Sequence, residues 1–314
     1  MRYLIAVLGA VLLTAGLAAQ EKPDSTESPA SIAGELMADE QPPAVAAASD
    51  TAGQPSVAAR EWPDATEIVR RADRHVRGES SRAELSMEIV RPDWSRQMGL
   101  KSWSKGNNRA LILITSPARD RGTTFLLRDD EVWNYRPDID RVIKLPPSMM
   151  SQSWMGTDFT NDDLVRESSI VEDYHHQIVG DTILIVDPGS DGKTTPAGAS
   201  TAADTARAGR PAWEMKLTPK PEAAVVWGEV RLWVGQEHYL QLHAEYYDED
   251  GELVNVMDMS RIREMGGRLL PTVLAMRPVD EEGHLTRMTY QDIEFDIEID
   301  DSFFSQQNMK RIRP

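Results

Sequence analysis

Past residue 80 the chain keeps to one pattern, short runs in which apolar and polar residues alternate, each closed by a turn signal. Leu85, Met87 and Ile89 alternate with Glu84, Ser86 and Glu88, and Pro92-Asp93 turns the chain into a partner run through Met98, Leu100 and Ser102. A period of two puts successive side chains on opposite faces, so this pair reads as an antiparallel hairpin with one wet face. Ala110 to Thr115, Thr123 to Arg128, Glu131 to Arg136 and Arg141 to Leu145 continue the pattern, with turns at Ser116-Pro117, Asp129-Asp130 and Pro137 to Asp140. It resumes over Trp213 to Thr218, Val225 to Val234, Tyr239 to Tyr247, Leu253 to Ile262, Arg268 to Arg277 and Leu285 to Ile299. Gly235, Asp250-Gly251, Gly266-Gly267 and Glu282-Gly283 punctuate these runs. Strands do not alternate with helices, which argues against a parallel nucleotide-binding sheet.

An antiparallel sheet of about ten strands has to curl, split or close. One clear amphipathic helix precedes it. Asp64 and Glu67 are spaced as a capping box, Ala65, Ile68, Val69, Ala72 and Val76 share a face, and Gly78 supplies the stop. The other face carries Arg70, Arg71, Asp73, Arg74 and Arg77, as a solvated surface would. A second, short helix is expected over Asn161 to Arg166, started by Thr160 with Asp163. The expected fold is α+β and mainly antiparallel β: a curved, incomplete β-barrel wrapped around a few helices, with a cavity between sheet and helices.

The first residues bear on location. Arg2 followed by the apolar run Tyr3 to Leu17 and small residues to Ala19 reads as a secretory signal peptide over 1–19. The run is too short to span a bilayer, which needs roughly 20 apolar residues. Residues 20–61 are rich in Ala, Pro, Ser and acids and read as a disordered tether. Asp187 to Arg210 reads as a long flexible surface insertion, and 62–314 as one domain with a sizeable core. The chain has no cysteine, which excludes a disulfide, a thiolate metal site and a lipidated cysteine anchor. Its net charge of -17 argues against nucleic acid, which requires a basic face.

One stretch fits neither period. Pro146 to Phe159 holds Met149, Met150, Trp154, Met155 and Phe159 among prolines and a glycine. It is either a plug packed into the core or a cover over something apolar, and methionine suits a surface that meets ligands of variable shape. Several strands also carry large apolar groups on both faces: Phe125 and Leu127 oppose Leu126, and Trp227 and Trp233 oppose Val226, Val230, Leu232 and Val234. Either protein covers both faces or one face meets an apolar cavity. Met149, Met150, Trp154, Met155 and Phe159 are the expected lid, and Phe125, Trp133, Tyr135, Trp227 and Trp233 the expected walls, of a hydrophobic ligand site.

In chain order, Pro117 with Gly122 and Phe125-Leu-Leu-Arg128, Trp133-Asn-Tyr135-Arg-Pro137 with Arg141-Val142, and Gly156-Thr157-Asp158-Phe159 with Asp162-Asp163-Leu164 form one set of motifs. Leu217-Thr218-Pro219-Lys220, Tyr246-Tyr247-Asp248-Glu249-Asp250-Gly251, and Phe303-Phe304-Ser305 with Asn308-Met309-Lys310-Arg311 complete it. Together these resemble the outer-membrane lipoprotein-sorting proteins of the LolA-like superfamily, from about Ala65 to Arg311 outside the insertion. The resemblance implies an apolar interior that accepts acyl chains and a periplasmic carrier or sensor of lipid or acylated protein. It also implies work beside an inner-membrane transporter, peripheral to membranes without spanning them. It assigns no catalytic residue.

The residues themselves offer little to an enzyme. His175-His176 on a strand would point to opposite faces, as would His238 and His243. Asp129-Asp130, Asp162-Asp163 and Glu281-Glu282 fall at turns or a helix start, where solvation or capping accounts for them. No nucleophile elbow, Walker loop or zinc-protease signature is present. The expectation is a protein with no catalytic, metal or cofactor residues. Two alternatives stand beside the carrier: an interaction module of an envelope membrane complex that never loads a ligand, and an envelope hydrolase with two carboxylates across a cleft.

Overall fold

The computed structural model describes residues 61–129, 131–166, 170–186, 194–196 and 209–314. The expected signal peptide, the tether up to residue 60, Asp130 and most of the 187–210 stretch lie outside them.

The helix α1 (Ala65–Arg77) starts as its sequence predicts, with the Asp64 carboxylate accepting from the N–H of Thr66 at 2.9 Å and of Glu67 at 3.3 Å. The capping box is only half formed. Glu67 turns outward to Arg70 and Arg71, at 2.6 and 2.7 Å, because arginines three and four residues on are nearer partners on a helix surface. Gly78 ends the helix at φ 68°, and a Cβ there would meet Asp296 Oδ1 at 2.8 Å. Ile68, Val69 and Ala72 are buried against the sheet.

The strand β1 (Ser80–Arg91) pairs with β2 (Trp94–Lys105) without a register break, so Leu85 faces Leu100 and Met87 faces Met98. Next to β2 come β3 (Arg109–Ser116), β4 (Thr124–Arg128), β5 (Glu131–Arg136) and β6 (Arg141–Leu145). On the other side of β1 the order runs β14 (Leu285–Phe295), β13 (Arg268–Pro278), β12 (Leu253–Met265), β11 (Gln241–Tyr247), β10 (Glu229–Gly235), β9 (Gly209–Pro219), β7 (Tyr174–Val186) and β8 (Thr194–Pro196). Among the described residues the result is a single antiparallel sheet of 14 strands. It rolls but does not close: β6 and β8 are its two edges.

Several elements differ from expectation, among them β10, which begins at Glu229 where the sequence suggested Val225. β7 runs from Tyr174 through His175-His176-Gln177 and Gly180-Asp181, polar residues that hide the period of its first half. Within the stretch read as a surface loop, Thr194–Pro196 pairs with Leu184, Ile185 and Val186, and Gly209 and Arg210 already belong to β9. β14 stops at Phe295 because Asp296 takes φ 56°, outside the strand region, and its N–H bonds the Ser80 carbonyl at 2.7 Å.

The concave face packs around α1, the segment from Met149 to Leu164, and Ile170 and Val171, joining both halves of the meander in one core. On the opposite face of β3 to β5, Leu111, Leu126 and Tyr135 are covered by the C-terminal segment through Phe304 and Met309 of α2 (Gln306–Arg311). A third cluster gathers Leu184, Val186, Ala212, Trp233, Leu240 and Leu242, with Ile262 and Leu269 against it. Among the described residues no helix is long and apolar enough to cross a membrane.

Candidate functional site

The segment Pro146 to Phe159 fills one end of the barrel and is held by polar groups at its own turns and on the sheet. Inside it, Trp154 N–H donates to the Phe159 carbonyl at 2.8 Å, and the Thr157 hydroxyl donates to the Trp154 carbonyl at 2.7 Å. Asn161 Nδ2 donates to the carbonyls of Met149 and Gln152, at 2.9 and 3.1 Å. On the sheet, Arg91 forms an ion pair with Asp158 at 2.9 Å, the two side chains only 11% and 5% exposed. The Thr286 hydroxyl donates to Asp158 Oδ2 at 2.7 Å and accepts from the Asp158 N–H at 2.9 Å. Arg91 also reaches the Gly156 carbonyl at 3.0 Å, and Arg96 the Met155 carbonyl. Breaking a buried pair of this kind strands a charge in a low-dielectric site, at a cost of about 3–5 kcal/mol. The segment is therefore a fixed plug with apolar side chains turned inward: Trp154 is fully buried, and Met150 and Phe159 nearly so.

Between the plug, α1 and the concave sheet lie three adjoining chambers of about 200, 130 and 40 Å³. Val76 of α1 and Tyr290 of β14 wall all three, and Leu164 and Met288 stand between the first two. The largest chamber is bounded by Phe159, Trp227, Leu217, Leu232, Met257 and Leu274, and the second by Trp154, Leu85, Met87, Leu100 and Ile112. A wider groove of about 900 Å³ runs outside the barrel along residues 297–311, but it is open and carries Asp300, Asp301 and Arg311.

Of the ten residues expected at a ligand site, the structure gathers seven on the concave side. Trp154 lines the second chamber, and its ring lies 5.2 Å from that of Phe125. Phe159 and Trp227 line the first chamber. Met150 is buried in the same core, with Met149 and Met155 packed against it. Trp133, Tyr135 and Trp233 lie elsewhere. Trp133 and Tyr135 share a face of β5 opposite to Val132, and lie under the C-terminal segment. Trp233 points opposite to Leu232 and Val234, against His243 at 4.9 Å. Strand alternation fixes which residues share a face, but not which face is concave; that depends on the sense of the roll.

The largest chamber has a polar pole whose acids the sequence assigned to solvation or capping. Thr160 and Asp163 do form the capping pair, Thr160 N–H to Asp163 Oδ2 at 2.8 Å and Asp163 N–H to Thr160 Oγ1 at 3.1 Å. The same carboxyl also accepts from Trp227 Nε1 at 2.9 Å, and with Asp162 it lines the chamber. Burial pushes its pKa up, against the lowering effect of the Trp227 and Thr160 bonds. Burial, reinforced by these carboxylates, also drives the phenols of Tyr174 and Tyr246 upward. Asp73 and Arg77 of α1 close the pole as an ion pair at 2.8 Å. The acid pair was visible in sequence; its inward direction was not, because β7 and the roll of the sheet bring Tyr174, Tyr246 and Trp227 around it.

His175 is exposed and His176 faces inward, bonding the Ile170 carbonyl at 2.6 Å and Thr66 Oγ1 at 3.1 Å, so the pair splits across the strand. Burial lowers the His176 pKa. Among the described residues no three of His, Asp and Glu converge to hold a metal ion.

Solved structures share this fold. A LolA superfamily protein from Nitrosomonas europaea aligns with a TM-score of 0.61 at 22% identity, over 79% of this chain and 100% of that one. A domain from Vibrio parahaemolyticus, described as an outer membrane lipoprotein-sorting protein, gives 0.63 at 20% identity, over 79% and 98%. A DUF1329 family protein from Desulfovibrio piger gives 0.63 at 23% identity, over 78% and 97%. No curated protein matches the chain. The family model for these uncharacterized proteins matches residues 106–311, and the chain belongs to that family, DUF1329, on a LolA-like fold.

Proposed function

We propose that this protein is a periplasmic carrier or sensor that holds a lipid or the acyl chain of a lipoprotein between α1, the plug and the concave sheet. The observation that carries the reading is the interior itself: chambers of about 200 and 130 Å³ with mainly apolar walls, separated only by side chains. Burying a hydrocarbon tail contributes about 0.8 kcal/mol per methylene, so such walls bind a chain with few polar contacts. A signal peptide over 1–19 would deliver the protein, a tether over 20–61 would space it, and an inner-membrane transporter would be its partner. Organic-solvent extraction of the purified protein should yield lipid, and a fluorescent acyl-chain probe should bind saturably; failure of both refutes loading.

One observation favours a second reading, an interaction module that never loads. No single chamber reaches the roughly 300 Å³ at which small-molecule sites begin. That reading expects lipid-free extracts and co-purification of a membrane protein.

A further inference from the structure

We infer that the second chamber recognises the uncharged carbonyl of an acyl ester or amide, which accepts a hydrogen bond from Trp154 Nε1 while its chain lies along Leu85, Met87, Leu100 and Ile112. The inference deepens the carrier reading and rests on it. Trp154 is 0% exposed, and its indole N–H is buried with no hydrogen-bond partner among the described residues. The backbone of the same residue is satisfied: its N–H donates to the Phe159 carbonyl at 2.8 Å, and its carbonyl accepts from the Thr157 hydroxyl at 2.7 Å. Trp227, the tryptophan of the first chamber, gives its own Nε1–H to Asp163 at 2.9 Å. A buried indole N–H normally finds a partner, and leaving one unmade is worse than having no donor there at all. Phenylalanine would supply an aromatic ring at position 154 without that penalty.

The ring borders the second chamber, so a partner for the donor comes from that space. An indole N–H donates and cannot accept, so the partner must carry an acceptor. The walls decide its kind. Leu85, Met87, Leu100 and Ile112 give a charged head nothing to offset its desolvation, and a single neutral donor cannot compensate a carboxylate or a phosphate. The cation in the lining, Arg77, is paired with Asp73 at 2.8 Å, and the hydroxyls of Ser81 and Ser104 bond each other at 2.9 Å. A carbonyl oxygen is satisfied by one such donor. An acyl ester or amide matches the chamber on both counts, a long hydrocarbon chain for the walls and one neutral acceptor for the ring.

The test reads the indole proton directly. In proton–nitrogen NMR spectra of the protein the eight tryptophans give Nε1–H signals, and Trp154→Phe identifies the one that disappears. Methyl laurate should move that signal downfield saturably. The alkene 1-dodecene, which has no oxygen, should displace a fluorescent acyl-chain probe without moving it. In probe displacement the preference for ester over alkene should fall about fivefold in Trp154→Phe, a ratio from which the probe and the hydration of each competitor cancel. Where that variant fails to fold, sequential assignment of the parent supplies the same signal and the spectra alone decide. No shift with the ester bound, as when a water alone meets the donor, overturns the carbonyl assignment while the carrier reading stands. So does an equal shift with both ligands, an unchanged preference in the folded variant, or tighter displacement by ionised laurate than by the ester. No saturable probe binding at all overturns both.

Discussion

Met288 stands between the two larger chambers, 9% exposed, with Leu164 as its neighbour in that wall. Met288→Ala removes the three heavy atoms beyond Cβ and should join spaces of about 200 and 130 Å³, reaching the range in which ligand sites fall. Two opposite effects follow. Stability should fall by about 2–3 kcal/mol, the low end of the range for Met→Ala in a core, because Met288 already borders empty space and has fewer contacts to lose. For a domain of this size that is a drop in Tm of about 4–12 °C. Affinity for a long chain should rise, because the vacated volume admits about three more methylenes at about 0.8 kcal/mol each. That amounts to a ten- to fifty-fold gain for a chain long enough to use the room, and none for a short one. Thermal unfolding and probe titration on the same preparation read both effects. A folded variant whose affinity for long chains is unchanged or weaker would refute the partitioned-cavity account.

Asp158→Ala should cost about 3–5 kcal/mol in denaturant unfolding, because it leaves the guanidinium of Arg91 buried without its partner. The double variant with Arg91→Ala should cost less than the sum of the singles by more than about 1 kcal/mol, and strict additivity would show the pair to be unimportant. Phe304→Ala, which opens the cluster on the outer side of β3 to β5, should cost about 3–5 kcal/mol yet leave acyl-probe affinity unaltered; loss of binding in the folded variant would place the ligand on the wrong face here. The pKa of Asp163 is raised in the folded state, so the stability it contributes is complete below the ordinary carboxylate value of about 3.9 and is lost as pH rises through the folded value. The stability of the parent relative to Asp163→Asn should therefore fall as pH rises from about 4 toward neutrality, and a difference independent of pH would contradict this.

The meander was legible because a strand with one covered face writes its geometry into a two-residue period. β1 and β2 show this, with Met87 against Met98 and Leu85 against Leu100. The first half of β7 was not legible, since its inward residues Tyr174, His176 and Ile178 are interrupted by a register shift before Gly180, which breaks the period. Phe125, Trp154 and Phe159 were readable as apolar residues needing cover. Trp133, Tyr135 and Trp233 read equally apolar, and only the C-terminal segment and the third cluster, distant in sequence, decide that they face away from the cavity. Asp163 was legible as a cap through its spacing from Thr160. Its second role depends on Trp227, 64 residues away, a separation that no local pattern encodes.

Heavy-atom quenching can locate a bound tail, because bromine quenches a tryptophan only at close approach. With a long-chain alcohol brominated along its tail, fluorescence should fall saturably, and the fall should disappear when Trp103, Trp154 and Trp227, the tryptophans that line the chambers, are replaced by Phe while Trp133 and Trp233 are kept. Quenching that survives in that variant, or that vanishes instead with Trp133 and Trp233, would mean that hydrocarbon does not enter the barrel between α1 and the plug.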